Sequence, residues 1–428
     1  MQYLMVLERK TDMMKIWEAT EVMDVHVEKM CKTFFSVHPK DIDQGALAQI
    51  GNLRRLPFAL SLAILPDVHQ GYGMPIGGVL GTDVRVVIPN AVGVDIGCGM
   101  QAVKTNILWK DVTHAMLLEL NKRIRALVPV GFNVHKKPVH AKNMPEAGPP
   151  WSRVSPHWDR AKVSMGTLGG NNHFIEAQKG SDGHLWFMVH TGSRNLGKQI
   201  CDGYNNMAKK LNAEFHSQVD PAWDLAFLPD SHSGYGEYLE DMGFCIQFAA
   251  ANRMTIMDNV LMALQFALGH KHPVPAEQEC HENQMERIDI CHNHASIENH
   301  MGKNMMVHRK GAAGPLRQHG YGIYGIIPGS KGESSFIVKP KKTSAMVMAM
   351  DTTSHGAGRP MSRGDAKRSL SIEAEEKKME GIVHSGCTKD NLDEAPGAYK
   401  DITEVMQNQE ELCSVVVHLL PMLNIKDK

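Results

Sequence analysis

Apolar residues at Val112, Met116, Leu120, Ile124 and Leu127 recur at helical spacing and predict an amphipathic helix over 109–128. From Tyr235 to Leu268 the pattern is helical throughout, carried by Phe244, Phe248, Met254, Met257, Val260, Leu264 and Phe266. Met and Phe at that spacing read as core packing rather than a cofactor box. Near the end, Asp401 followed by Glu404 has the form of a capping box. Ile402, Val405, Met406, Leu412, Val416 and Leu419 extend it into a last amphipathic helix.

Other segments carry strand signals. Between 62 and 99, short apolar runs alternate with Gly/Pro turns, the mark of short buried strands. Phe187-Met188-Val189-His190 reads as a strand that delivers His190 into the turn Thr191-Gly192-Ser193. Arg287 to Cys291 reads as a second that delivers His292. The first fifty residues read as an opening segment followed by a short helix. The stretch 133–158, rich in Pro, His and Lys, reads as a long, mobile surface loop. With no repeat, low-complexity tract or Pro/Ser-rich linker, the expectation is one α+β domain over 1–428.

Composition narrows the class. Hydrophobic content of 43% with 22% charged residues describes a soluble globular chain. Glu8-Arg9-Lys10 interrupts any signal-peptide core, and the apolar run Phe58 to Leu65 is too short to span a bilayer. Eight scattered cysteines with no CxxC pair argue for a reducing, cytoplasmic setting rather than a disulfide framework. A net charge of −1 gives no whole-chain signal for nucleic acid, and each local basic cluster reads as a solvated face.

The chemistry concentrates in a few places. Gly93-Val94-Asp95-Ile96-Gly97-Cys98-Gly99-Met100 sets a carboxylate and a thiol three residues apart in a glycine-rich turn. His173 follows Gly169-Gly170-Asn171-Asn172, with Glu176 three residues on, while His190 and His292 end apolar strands. One histidine in such a place is ordinarily a satisfied turn or core residue. With Asp95 and Cys98 the three give five donors, more than one tetrahedral site needs, and enough for two ions sharing the thiolate. The donor set suits Zn or Mn, with Fe or Co also compatible. A two-metal site points to phosphoryl or nucleotidyl chemistry. In Ser354-His355-Gly356-Ala357-Gly358-Arg359 a histidine stands among small residues as a candidate nucleophile, with an arginine to hold phosphate. Pro328-Gly329-Ser330-Lys331-Gly332-Glu333-Ser334-Ser335 reads first as a hairpin turn and, if functional, as an anion cradle; it lacks the Walker A spacing.

These motifs, in this order, resemble the RtcB family of RNA ligases. The resemblance runs from Pro66-Asp67-Val68-His69 through the Gly93 to Met100 loop, Asn172-His173-Phe174-Ile175-Glu176, His190 to Arg194, His292-Asn293, Pro328-Gly329-Ser330 and His355 to Arg359, and takes in Tyr399-Lys400-Asp401. It implies an RtcB-like α+β fold of mixed sheets, flanking helices and long irregular loops. It implies a GTP- and Mn(II)-dependent enzyme that joins RNA 3′-phosphate or 2′,3′-cyclic phosphate ends to 5′-hydroxyl ends. One Mn would sit on Asp95, Cys98 and His173, the other on Cys98, His190 and His292, with His355 becoming guanylylated. The guanylate pocket would draw on Asn172, His173, Phe174, Ile175, Glu176, His292, Asn293, Pro328, Gly329, Ser330, Lys331, Ser335, Gly356, Ala357, Gly358, Tyr399 and Lys426. Arg194 and Arg359 would be candidates for RNA or phosphate contact, and an archease-type activator would be a compatible partner. Two departures stand out: Lys331 replaces the usual Met after Pro-Gly-Ser, and two residues follow Lys426 where the family commonly closes on glycine. Rival readings are a metal-dependent RNA-end phosphoesterase without guanylylation, and an RNA-end-binding protein without activity.

Overall fold

The computed structural model describes residues 4–6, 31–142, 144–146, 148, 152–269, 287–318 and 321–427. Most of the expected opening segment lies outside them; the short helix after it is Gln44–Arg54, capped by Asp43. The content is α+β. One six-stranded sheet runs in the order Leu4–Val6, Lys32–Phe35, Ala59–His69, Ile76–Thr82, Lys303–Lys310, Asn293–His300. A seven-stranded sheet runs Arg287–Cys291, Gly99–Leu108, His184–Thr191, Phe174–Gly180, Cys413–Ile425, Ser335–Pro340, Gly325–Ile327.

The two sheets face each other. Ala63, Leu65, Val79, Met305 and Val307 from the first pack in one cluster with Met100, Ala102, Trp186, Met188, Ile337 and Leu419 from the second. Both sheets are covered behind as well. Leu62, Ile64 and Leu80 turn to the Gln44–Arg54 helix. Leu185, Phe187 and Val189 turn to helices His114–Leu127 and Ser233–Ala267. Burial on both faces explains why Leu62 to Leu65 is unbroken apolar sequence with every side chain inaccessible.

The long helix is as expected, though Phe266 is 57% exposed at its end. The described residues of 133–154 are irregular up to a 3-10 turn at Ser155–His157, but parts of them are fastened. Ser152 and the Arg153 N–H donate to buried Asp241, to which Tyr204 also donates at 2.8 Å. Val139, Ala141 and Met144 pack on the core.

The last helix is corrected. Only Ile402–Gln407 is helical; Cys413–Ile425 is a central strand paired with Ser335–Pro340 on one side and Phe174–Gly180 on the other. The apolar positions fit a helical stripe, but Val415-Val416-Val417 is a β-branched run, and a strand there closes two hydrogen-bond ladders. Pro421, which cannot donate to a ladder, sits where the register shifts. The capping box is also absent: the Asp401 side chain accepts from the Thr403 N–H, a simple cap. Among the described residues no helix is long and apolar enough to cross a membrane.

Candidate metal and nucleotide centre

Strand ends from both sheets bring the chemistry together. Cys98 immediately precedes Gly99–Leu108, His173 precedes Phe174–Gly180, and His190 lies at the end of His184–Thr191. His292 occupies the single residue between Arg287–Cys291 in one sheet and Asn293–His300 in the other. Its N–H donates to the Cys98 carbonyl at 2.9 Å, and its carbonyl accepts from Ala312 at 3.1 Å. The Gly97 N–H donates to the Asn293 carbonyl at 2.9 Å, so the Asp95–Cys98 turn is stitched to the crossover.

The ligand atoms converge as two triads sharing Cys98. In one, Cys98 Sγ lies 3.5 Å from His173 Nε2, which lies 3.0 Å from Asp95 Oδ2. In the other, Cys98 Sγ lies 3.4 Å from His190 Nε2, itself 3.3 Å from His292 Nε2. Cys98, His173, His190 and His292 are buried and Asp95 is half-buried. His190 donates through Nδ1 to the Asn172 carbonyl at 3.1 Å, which leaves Nε2 bare toward the triad. Burial, reinforced by neighbouring histidines, drives His190 and His292 far below the ordinary imidazole range, so both are neutral with lone pairs free. Burial, and then the Asp95 charge, pushes the Cys98 thiol well up. Separations of about 3.3–3.6 Å are those of atoms around one tetrahedral ion with bonds of 2.0–2.3 Å. Each triad keeps its ligand atoms within 4.8 Å of one another. His292 Nε2 faces the bare His190 Nε2 at 3.3 Å, and with its ring proton on the unpartnered Nδ1 both nitrogens present lone pairs to a cation. The donor set therefore fits a cation in each triad.

His355 stands beside the second triad, its ring 4.8 Å from that of His292. Asp67, fully buried, accepts from His355 Nδ1 at 2.6 Å and from its backbone N–H at 3.1 Å. Burial pushes the Asp67 carboxyl up, but the bond and charge of His355 outweigh it and hold the group below the usual carboxylate range. An anionic Asp67 that takes Nδ1–H leaves Nε2 as the free nucleophilic nitrogen. Lys400 fixes this carboxylate's backbone by donating to the carbonyls of Pro66 and Val68 at 2.9 and 2.7 Å. Gly358, at φ +74, abuts the Asp67 carbonyl so closely that a side chain there would strike it.

A cavity of about 970 Å³ joins the triads and His355 to a second polar end. Asn172, Phe174, Glu176, Asn293, Pro328, Gly329, Ser330, Lys331, Gly356, Ala357, Gly358, Tyr399 and Lys426 line it with the triad residues. Ile175 turns into the hydrophobic core, and Ser335 stands behind the lining, accepting from Gln178 at 3.1 Å. Glu176 accepts from Asn424 and Gln178, both at 2.7 Å; burial dominates and raises it to about 7. Lys426 and Tyr399 both donate to Glu394 Oε2, at 2.7 and 2.6 Å. Burial raises Glu394, yet Lys426 and Tyr399 overcome it and bring the carboxyl to about 2. Of the arginines, Arg194 folds inward against Thr167 and His173, while Arg359 stays on the cavity rim near Asp393.

Sequence reasoning assigned no role to Asp67, Gln178, Glu394, Lys400 or Asn424. A signal existed for Asp67: a carboxylate inside an apolar run must be paired.

Paired ligand triads beside a carboxylate-held histidine, on an α+β frame, define a candidate metal centre. The chain belongs to the RtcB family: the family model described as tRNA-splicing ligase RtcB matches residues 49–155 and 144–427. It is similar to the RNA-splicing ligase RtcB of Escherichia coli (strain K12), 35% identical over 404 residues that cover 90% of this chain and 95% of that one. It is also 28% identical over 482 residues to the tRNA-splicing ligase RtcB of Nanoarchaeum equitans, covering 96% and 98%. With the namesake from Pyrobaculum aerophilum it is 30% identical over 410 residues, covering 80% and 82%.

Proposed function

We propose that this chain is an RNA ligase that joins 3′-phosphate or 2′,3′-cyclic phosphate ends to 5′-hydroxyl ends with GTP. The observation that carries the reading is one cavity holding two triads that share Cys98 and a histidine aligned by a buried carboxylate. Asp95, Cys98 and His173 would hold one Mn(II), and Cys98, His190 and His292 the other. Such ions neutralise crowded phosphate oxygens and lower the barrier to displacement at phosphorus.

The residues of the chain do the rest. His355 Nε2 attacks the α-phosphorus of GTP; an N–P bond forms and pyrophosphate leaves. Asp67 keeps the proton on Nδ1 and stabilises the positive charge that builds on the ring. The guanylyl group then passes to the RNA 3′-phosphate oxygen, breaking the N–P bond, and the 5′-hydroxyl displaces GMP. A cyclic phosphate is first opened by hydrolysis. The guanylate lies along Glu176, Ser330, Tyr399 and Lys426, with its phosphate at His355.

The test is incubation with labelled GTP and Mn(II), then denaturing separation. Wild type acquires a covalent label and seals a 3′-phosphate/5′-hydroxyl RNA pair; His355→Ala does neither. Processing of RNA ends by a wild type that never takes label makes the chain a phosphoesterase instead. RNA affinity with neither activity makes it an end-binding protein.

A further inference from the structure

We propose that Arg253 is a positioning residue for the second triad: its guanidinium ties together the three backbone segments that carry Cys98, His190 and His292, and so sets the spacing of those ligands. This rests on the metal reading above. Arg253 belongs to the long helix Ser233–Ala267, and its side chain is 1% exposed. Nη1 donates to the Gly97 carbonyl at 2.9 Å, one residue before Cys98, and to the Thr191 carbonyl at 3.3 Å, one residue after His190. Nε and Nη2 grip Asp289 as a fork, at 2.9 Å to Oδ2 and 2.6 Å to Oδ1. Asp289 lies on strand Arg287–Cys291, three residues before His292.

The strands alone do not hold these ends. Their pairing stops at Gly99, which is matched with Thr191 on one side and Cys291 on the other. Arg253 continues the fastening where the ladders run out. A buried cation needs a counter-charge, and Asp289 supplies it. The remaining donors of the fork go to two carbonyls, each next to a ligand.

The glycines around the thiol make room for this. A Cβ at Gly99 would stand 3.0 Å from Arg253 Cζ and Nη1, and 2.5 Å from the Ile290 carbonyl. Gly97, at φ +77, presses on the same helix, where a Cβ would stand 3.0 Å from Ala249 and from the Cys245 carbonyl. Those two glycines let the turn seat on the helix that carries Arg253.

The first triad shares only Cys98 with this clamp. His173 Nδ1 lies 3.1 Å from the Leu168 carbonyl, and Asn252, beside Arg253 on the helix, donates to the neighbouring Thr167 carbonyl at 3.2 Å. The Asp95 carbonyl accepts from Asn293 at 3.0 Å. Loosening Arg253 should therefore fall on one ion and spare the other.

The test is Mn(II) titration of the full apo chain, with the free ion followed by electron paramagnetic resonance. Two backgrounds separate the sites: Asp95→Ala leaves the second triad whole, and His190→Ala leaves the first. Arg253→Lys keeps the charge but gathers it on one nitrogen, which cannot span three segments. It is expected to weaken the ion in the Asp95→Ala background by roughly ten- to a hundredfold, and to leave the ion in the His190→Ala background within about threefold.

Equal weakening at both sites would make Arg253 a general prop and overturns the assignment, as does an unchanged second site. Should Arg253→Lys fail to fold, Asp289→Asn decides: it slackens the grip on the His292 segment and is expected to weaken the second site alone, by about three- to tenfold. No difference between the sites in that variant overturns the assignment too. A wild type that takes up no Mn(II) overturns the metal reading itself, which is a different failure.

Discussion

At the scale of single residues, the site separates groups that look alike in sequence. Asp95 and Cys98 share one turn, but Asp95 belongs to one triad and Cys98 to both. Reconstituted with Mn(II), wild type is expected to hold two ions, Asp95→Ala to lose one, and Cys98→Ala to lose both; elemental analysis after desalting measures this. Two ions retained by Cys98→Ala removes the shared-thiolate reading. Asp67 touches His355 and does not line the cavity, so in the proposed reaction it would act through that ring. Asp67→Asn should slow covalent capture of GMP by about a hundredfold or more, with the KM for GTP little changed, because the ring loses its tautomer and charge support. A larger change in KM than in kcat would make Asp67 a binding group. The sequence made the triad residues visible because each ends an apolar strand or sits in a glycine turn. For Asp67 the sequence carried only the hint of a carboxylate in an apolar run, because its partner lies 288 positions away and only the fold brings Lys400 against its backbone.

At the scale of elements, long periodic segments were legible and short ones were not. Ser233–Ala267 announces itself over many turns, whereas the segment after Ile402 offers few residues and a pattern that two structures satisfy. The strand assignment makes a testable distinction. In a helix, Val416 and Leu419 would share a face; in the strand, Leu419 is fully buried between the sheets and Val416 is 38% exposed. Leu419→Ala should therefore cost about 2–5 kcal/mol in denaturant unfolding, and Val416→Ala well under half of that. Similar losses would contradict the strand.

At the scale of the whole molecule, stability depends on buried carboxylates that must stay ionised. Glu298 accepts from Arg309 and from His300, the latter at 2.7 Å, and Arg309 is completely inaccessible. Burial raises the Glu298 carboxyl, but the Arg309 charge overrides it and holds it far below the usual range. Glu394 is depressed as well, to about 2. Because both folded-state values lie below the unfolded value of 4.5, their stabilisation is complete above that pH and is lost as pH falls toward 2. Melting temperature should therefore fall steeply below pH 4.5. Glu298→Gln should melt lower at pH 7, by about 3–5 kcal/mol, because it leaves Arg309 buried without a counter-charge, and should show a shallower acid decline. A variant that keeps the wild-type acid slope would assign that slope elsewhere.

His292 has a wider consequence. Among the described residues it is the one through which the chain steps from the seven-stranded sheet into the six-stranded one, and its imidazole meets His190, which rides on the former. A change in the angle between the sheets reaches the backbone of His292 from its six-stranded side and is expected to alter the spacing of those two nitrogens. The centre acts as a gauge of how the two halves of the sandwich sit against each other. A methyl group added or removed in the core cluster that holds Leu65 and Trp186 is therefore expected to change metal retention without touching a single candidate ligand.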